Sequence, residues 1–526
     1  MTAPPPGSST EAPGGDLAAL AKGGRTNFMG FLLRLAARLP FLFIAGRLYG
    51  AEALGRFASA LVVVELVALV CSIGEKRGLA QRLSESEENP ANLVADSMAV
   101  ALLLSLFAAA ILYVFPAPLF PSGQYTALDR LIVLAIPGYA LTEIALAAQA
   151  YRYDIATTVR ARAVVEPWTI SILAGAFFLL EPVSGLSLAY LASIYAGFLT
   201  AMVPFWRSHG RPHGWRFQPR RVWLMTKRAF PLAVADTVEW GTRRIDILIL
   251  GLFAASPAAV GIYYVAQQVA SLPQKLKTSF EPILGPVITR KLKERDYAAI
   301  AKQVCQVGFW ITAAQAGVAL ALGIPGEAIM GLVGPNFVGG TGALGLLLAA
   351  EVIAATAVVS EAALIYVARV RNLWVSLATI GLQASLTVAA LVAADRLGLS
   401  DYYRAAMAAG ALAISLGVAS LVKAWMLSRI LGERVNNWRW ALVWATGAAV
   451  LVGQIVILLP EWLELVVGLP LILGVYGWVI WTRGFGPEDR VLFTRKLAVE
   501  QDHQNAPAAT SAAVPSPSPA NGDKIP

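Results

Sequence analysis

Long apolar runs constrain this chain more than any other feature of its sequence. A helix needs about 20 mainly apolar residues to cross a bilayer, because backbone polar groups in hydrocarbon must pair within the segment. Fourteen such runs are present, at residues 28–50, 53–74, 93–115, 130–150, 163–181, 184–206, 229–253, 258–280, 303–323, 341–368, 372–393, 402–425, 440–459 and 462–481. The sequence therefore predicts an all-α integral membrane protein with about 14 transmembrane helices.

The charge content supports a lipid-facing surface. Only 14% of the 526 residues are charged and 57% are hydrophobic, whereas a soluble domain carries roughly 25% charged residues. The net charge of +9 does not indicate nucleic-acid binding, since the basic residues lie in short segments between apolar runs. Two cysteines form no disulfide framework or metal cluster. With no recognisable catalytic motif, we expect no enzyme activity, no catalytic residue, no metal and no cofactor.

The distribution of Lys and Arg predicts the orientation of the chain. If the N-terminus is cytoplasmic, most of the 42 basic residues fall on the cytoplasmic side, including seven in each of the segments 207–228 and 275–302. This bias follows the positive-inside rule. We therefore expect both termini to be cytoplasmic.

Two local similarities suggest that the chain is built from repeated halves. Residues 38–57 resemble residues 243–263, with Arg38 aligned to Arg243, and the pair Thr142-Glu143 resembles Ser360-Glu361. Chance similarity between apolar helices is the alternative. The repeat predicts two six-helix bundles related by an axis along the membrane normal, plus two C-terminal helices.

The predicted domains follow from this repeat and from the polar segments. They are a disordered cytoplasmic tail at 1–24, an N-terminal lobe at 25–206, a basic cytoplasmic linker at 207–228, a C-terminal lobe at 229–427, two further helices at 428–482 and a cytoplasmic tail at 483–526.

Arg47, Arg56, Arg130 and Arg404 lie near the outer ends of predicted spans, but four other arginines lie deeper, where a central guanidinium costs at least about 2.5 kcal/mol. They are Arg34, Arg38, Arg243 and Arg244. Arg34 and Arg38 are one helical turn apart and share a face. Of the adjacent pair we favour Arg243 as the residue that faces the same cavity. Because the arginine fork matches phosphate oxygens, the four predict an anionic, phosphate-bearing substrate. An internal ladder of Glu239, Arg243 and Asp246 is the competing interpretation.

Three stretches of the sequence match a known pattern: Gly46–Ala58, Ala258–Ala266 and Gly486–Phe493. They resemble the multidrug/oligosaccharidyl-lipid/polysaccharide (MOP) superfamily of exporters, in particular its polysaccharide transporter branch of O-antigen and exopolysaccharide repeat-unit flippases. The resemblance implies a MATE-like, V-shaped pair of bundles that works by alternating access. It also implies an undecaprenyl-pyrophosphate-linked oligosaccharide as the substrate and the bacterial inner membrane as the location.

The resemblance also assigns roles and partners. Arginines of the central chamber would hold the pyrophosphate, and a proton or sodium gradient would drive transport through the acids Glu65, Asp236 and Glu239. Membrane lipids, a polysaccharide polymerase and chain-length proteins are the implied partners, with no nucleic acid among them. A cation-coupled multidrug antiporter and a lipid II flippase of the same superfamily are the alternatives. A membrane glycan polymerase or a scaffold fits the short external loops or the buried arginines less well.

Overall fold

The computed structural model describes residues 39–86, 88–152, 154–210, 212–216, 218–253, 256–436, 438–486 and 489. The predicted N-terminal tail and most of the predicted C-terminal tail lie outside these residues. The helices in chain order are α1 (Ala45–Tyr49), α2 (Gly50–Cys71), α3 (Glu75–Glu85), α4 (Pro90–Val114), α5 (Asp129–Tyr151), α6 (Ile155–Leu180), α7 (Gly185–His209), α8 (Pro219–Phe253), α9 (Pro257–Lys293), α10 (Tyr297–Gly323), α11 (Gly326–Val333), α12 (Thr341–Val367), α13 (Arg369–Arg396), α14 (Asp401–Leu431), α15 (Trp440–Val456) and α16 (Glu461–Gly484).

The predicted all-α membrane fold is confirmed. Each predicted apolar run overlaps a helix, and ten helical stretches within the described residues are long and apolar enough to cross a bilayer. The helices α8 and α9 are not among the ten. The first carries several charged residues, and the second carries Gln267 and Gln268 in an otherwise apolar segment. The total of 14 spans stays a prediction.

The helices pack in two groups joined through α2. In the first group α7 lies against α5 and α6, and in the second α12 lies against α9, α10 and α14. The C-terminal helices α15 and α16 pack against each other and against α10. The helix α2 belongs to the first group, where it packs against α4 and α5, and it joins the groups because it also packs against α8 and α9. The repeat relation and the domain boundaries given above stay predictions.

Close backbone contacts hold α2 against the second group at both of its ends. A methyl group added at Gly55 would lie 1.8 Å from the carbonyl oxygen of Pro257, at the start of α9. Just beyond the other end of α2, a methyl group at Gly74 would lie 2.5 Å from the backbone nitrogen of Ala233 in α8. Neither position leaves room for a side chain, so the two groups touch backbone to backbone at these points.

A polar cluster fastens the end of the described chain to α10. The carboxylate of Asp489 accepts hydrogen bonds from Arg439 at 2.6 Å, Trp310 at 2.8 Å, Gln306 at 3.1 Å and the Gly486 backbone N–H at 2.9 Å. Burial by itself would raise the pKa of this carboxyl, but these donors outweigh burial and lower it. The cluster therefore keeps a charged carboxylate beside the α10–α16 contact.

Candidate substrate cavity between the two helix groups

A cavity of about 650 Å³ lies where the two groups face each other. Its walls come from α2, α5, α6 and α7 on one side and from α8 and α9 on the other. The volume is in the range of small-molecule sites, about 300–1,000 Å³. Among its lining residues, the charged side chains are Glu65, Glu143, Arg162, Glu166 and Arg244.

Arg162 is the centre of the ionic contacts on the α5–α6 side of the cavity. Its Nη1 lies 2.6 Å from Oε1 of Glu166, four residues later on the same helix, and its Nη2 forms an ion pair with Glu143 of α5. The guanidinium also lies over the ring of Tyr139, 4.5 Å from its centroid. Only 13% of the Arg162 side chain is exposed. Two carboxylates and one aromatic face therefore fix this arginine in place.

The local backbone brings these groups together. The segment Arg160–Val165 forms a π-helical turn inside α6, an irregularity often found at functional sites. The carboxylate of Glu166 occupies space left by a glycine of α7, because a methyl group at Gly197 would lie 2.5 Å from Oε1 of Glu166. The position of Glu166 thus depends on a neighbour that has no side chain.

Arg244 faces the cavity from the second group. Its Nη2 lies 3.7 Å from Oε2 of Glu65 in α2, so the pair spans the two groups. Its Nη1 is buried and has no hydrogen-bond partner within the described part of the chain. An unpaired buried guanidinium N–H is costly. This donor is therefore suited to an anionic ligand atom.

Arg243 points elsewhere, contrary to the preference drawn from the sequence. Its Nη1 lies 2.7 Å from Oε1 of Glu351 in α12, and the amide oxygen of Gln274, in the orientation that satisfies both groups, accepts from its Nε at 2.8 Å. Arg243 is not among the residues that line the cavity. Adjacent residues on a helix are about 100° apart, so one of them faces α12 while Arg244 faces α2.

The predicted acids are also divided between different environments. Glu65 lines the cavity, whereas Asp236 and Glu239 do not; Asp236 is buried and Glu239 is exposed. Asp246, completely buried, accepts hydrogen bonds from the hydroxyl of Tyr263 and from Gln267 at 3.4 Å, both in α9. Arg34 and Arg38 lie outside the described residues, so their role stays a prediction.

Sequence reasoning missed the most tightly paired arginine of the cavity. Arg162 directly precedes the predicted apolar run at 163–181, so the sequence alone places it in a cytoplasmic segment at the end of that span. The structure instead places it inside α6, within a stretch that is apolar enough to span a membrane. The signal available in the sequence was the spacing of four between Arg162 and Glu166, which places opposite charges on one helix face.

The sequence and the fold both have known counterparts. Residues 44–313, just over half of the chain, match the family described as polysaccharide biosynthesis protein. No curated protein matches the sequence.

Among solved structures, the fold is similar to the lipid II flippase MurJ in an inward closed conformation, with a TM-score of 0.68 and 12% identity over 87% of this chain and 99% of that chain. It is also similar to an inward-facing multidrug resistance MATE family transporter of the MOP superfamily, with a TM-score of 0.63 and 14% identity over 76% of this chain and 94% of that chain. A third match is a MOP superfamily transporter from Pyrococcus furiosus, whose binding pocket is described as of reverse polarity (TM-score 0.55, 14% identity, 79% and 95% covered). At these identities the likeness is one of fold.

Proposed function

The chain belongs to the polysaccharide biosynthesis protein family, and from this membership we propose that it is a lipid-linked oligosaccharide flippase. Its substrate would be an oligosaccharide repeat unit linked to undecaprenyl pyrophosphate. Transport would run across the bacterial inner membrane, toward surface polysaccharide, by alternating access. A polysaccharide polymerase and chain-length proteins would act on the delivered units.

The observation that carries the proposal is the pair of arginines in the cavity between the helix groups. Arg162 lies on one wall and Arg244 on the other, so a diphosphate bound between them would contact both groups at once. Arg244 lines the cavity, is 22% exposed and lies 3.7 Å from its carboxylate partner, so a phosphate oxygen can contact its guanidinium without displacing a close ion pair. Guanidinium groups in a low-dielectric site bind phosphate through charge-assisted hydrogen bonds.

The contacts of α2 support alternating access. The helix touches the second group near Gly55 at one end and at Gly74 beyond the other end, on either side of the cavity. We propose that a lipid-linked glycan enters or leaves when one of these contacts separates. Motion of one group against the other, hinged at the contact that remains closed, is therefore the simplest transport cycle.

The charge inventory favours one alternative function. The described residues of the lining include three carboxylates and two guanidinium groups, so an organic cation would also find partners there. The second candidate is accordingly a cation-coupled multidrug antiporter. The substrate is what separates the two proposals, since the fold accommodates both.

The test is deletion of the gene in its host, followed by complementation. We expect deletion to abolish surface polysaccharide and to accumulate undecaprenyl-linked repeat units, and the wild-type gene to restore export. Arg244→Ala should lower export at least tenfold at normal membrane levels, because a charged hydrogen bond contributes about 1.5–3 kcal/mol. Arg404→Ala is the matched control, since that arginine pairs with the exposed Asp395 outside the cavity.

The possible outcomes separate the hypotheses. Normal polysaccharide without lipid-linked intermediates after deletion would show that the chain is not this flippase. Accumulation of a peptidoglycan precursor instead would indicate a lipid II flippase. Loss of cationic-dye efflux after deletion, reproduced by Glu65→Gln, would favour the antiporter. Normal export by Arg244→Ala would reject the phosphate site while leaving the function open to other residues.

A further inference from the structure

The contacts of Arg162 leave a charge imbalance inside the cavity. One guanidinium faces two carboxylates, Glu143 and Glu166, so this triad carries a net charge of −1 when all three groups are ionised. An anionic headgroup that enters the cavity meets this excess. Like charges held together in a low-dielectric site repel strongly, and proton uptake relieves the repulsion.

We propose that the triad is an exchange site, in which a substrate phosphate replaces the Glu166 carboxylate on Arg162 and the displaced carboxylate takes up one proton. The inference rests on the proposed function, because it requires a phosphate-bearing substrate. It makes Arg162 a second substrate-contacting arginine and couples substrate binding to protonation.

The two carboxylates are not equivalent, and the geometry favours release of Glu166. The Glu143–Arg162 pair joins α5 to α6, so breaking it would loosen the packing of two helices. Glu166 is on the same helix as Arg162, and its side chain can leave by rotation about its own bonds. The guanidinium then keeps one carboxylate and the Tyr139 face while its freed N–H groups bind phosphate.

Other ionisable groups face the same space and must be considered as proton acceptors. They come from each helix around the cavity: Glu65 of α2, Tyr139 of α5, Tyr190 of α7, Arg244 of α8 and Tyr264 of α9. The arginines and tyrosines are already protonated at neutral pH. Among the lining residues, Glu65 is therefore the competitor of the triad, and it has its own partner in Arg244.

The experiment measures binding by the purified full-length protein in lipid nanodiscs between pH 6 and pH 8. The probe is undecaprenyl pyrophosphate bearing one N-acetylglucosamine, whose diester phosphates stay ionised over this range. If binding takes up one proton, the dissociation constant should rise about tenfold per pH unit. Replacing Na⁺ by choline at each pH separates proton uptake from sodium binding.

Removing one carboxylate should remove the pH dependence. In Glu166→Gln the guanidinium and the remaining carboxylate balance, so the dissociation constant should change less than twofold between pH 6 and pH 8. Glu166→Ala is the second variant, with the same expectation, if Glu166→Gln does not fold. Glu361→Gln is the matched control, because that carboxylate pairs with Lys423 at 3.0 Å and does not line the cavity. In Glu361→Gln the dissociation constant should still rise about tenfold per pH unit.

The results distinguish this inference from the proposed function. A wild-type protein that does not bind the probe overturns both. Binding that is weakened by Arg244→Ala but keeps its pH dependence in Glu166→Gln and Glu166→Ala overturns the exchange site alone. If only Glu65→Gln loses the pH dependence of the dissociation constant, the proton binds at the Glu65–Arg244 pair. If the dissociation constant depends on Na⁺ instead of pH, binding takes up sodium and not a proton. Either result also overturns the exchange site.

Discussion

A single methyl group added at Gly55 should separate the two helix groups at one end of α2. In Gly55→Ala the new carbon would lie 1.8 Å from the Pro257 carbonyl oxygen, whereas real side-chain carbons stay at least 3.0 Å away. The backbones must therefore move apart by about 1.2 Å (3.0 minus 1.8 Å). Both contacting atoms belong to backbone, so no side-chain rotation can absorb the displacement. Overpacking of this kind costs about 1–3 kcal/mol.

The cost falls on the conformation in which this end is closed, and it is absent where the end is open. A bias of about 1–3 kcal/mol changes the ratio of the two populations about 5- to 150-fold. As long as the open conformation is the minor one, its population should rise about 5- to 150-fold. Gly175→Ala is the control, because a methyl group there meets no atom within 4 Å.

The assay is labelling of a cysteine that only the open state exposes. Ser59 of α2 is 8% exposed and lies next to Gly251 of α8, so Ser59→Cys places the thiol between the groups. Cys71 and Cys305 are the native free cysteines and are replaced first. With a membrane-impermeant maleimide, Gly55→Ala should label about 5- to 150-fold faster than its parent. Equal rates in Gly55→Ala, Gly175→Ala and the parent would refute the role of this contact as a gate.

Two further predictions concern contacts outside the cavity. Asp489→Asn should lower the free energy of unfolding by about 2 kcal/mol at pH 7, since it weakens charged hydrogen bonds; Asp395→Asn, on an exposed pair, should cost under about 1 kcal/mol. Because the pKa of Asp489 is lowered, its contribution to the free energy of unfolding is present at neutral pH and disappears as the pH falls below the ordinary carboxyl range. The thermal unfolding temperatures of Asp489→Asn and the wild type should therefore converge at low pH. Arg47→Ala should also speed Ser59→Cys labelling, severalfold, because Arg47 donates at 3.2 Å to the Leu332 carbonyl at the end of α11 and so joins the two groups. An unchanged labelling rate would show that this contact does not contribute to closure.

The fold was predictable because its main signal is periodic and strong. Hydrocarbon tolerates only paired backbones, so every long apolar run had to become a helix. The predicted run at 258–280 became part of α9, and one of its glutamines makes contacts that the sequence could not show. Gln267 donates to the Arg243 carbonyl at 3.1 Å and contacts the buried Asp246. Polar residues that lower the hydropathy of a span are thus explained by contacts between α8 and α9.

The site was predictable only in part, because facing directions depend on packing. The sequence predicted arginines inside the span of α8, but the preference for Arg243 over Arg244 as the one that faces the cavity differs from the structure. Glu351, distant in sequence, binds Arg243 and leaves Arg244 to the cavity. Arg162 was missed for a different reason. Positive residues near a helix end look alike whether they meet headgroups or an internal carboxylate, and only the fold brings Glu143 within reach.

The balance of charge in the cavity decides between an anionic and a cationic substrate. Among the described lining residues the balance is −1, from three carboxylates and two guanidinium groups. If Arg34 and Arg38 face the same space, as the sequence predicts, the balance becomes +1 and a diphosphate is favoured. Proton uptake by the displaced Glu166 carboxylate would make the net charge of the cavity lining more positive still. Neither step is needed for a cation, which the ionised carboxylates already attract. The flippase is therefore favoured by the additional arginines, and further by protonation of the displaced carboxylate, whereas the described lining residues already suit a cationic substrate.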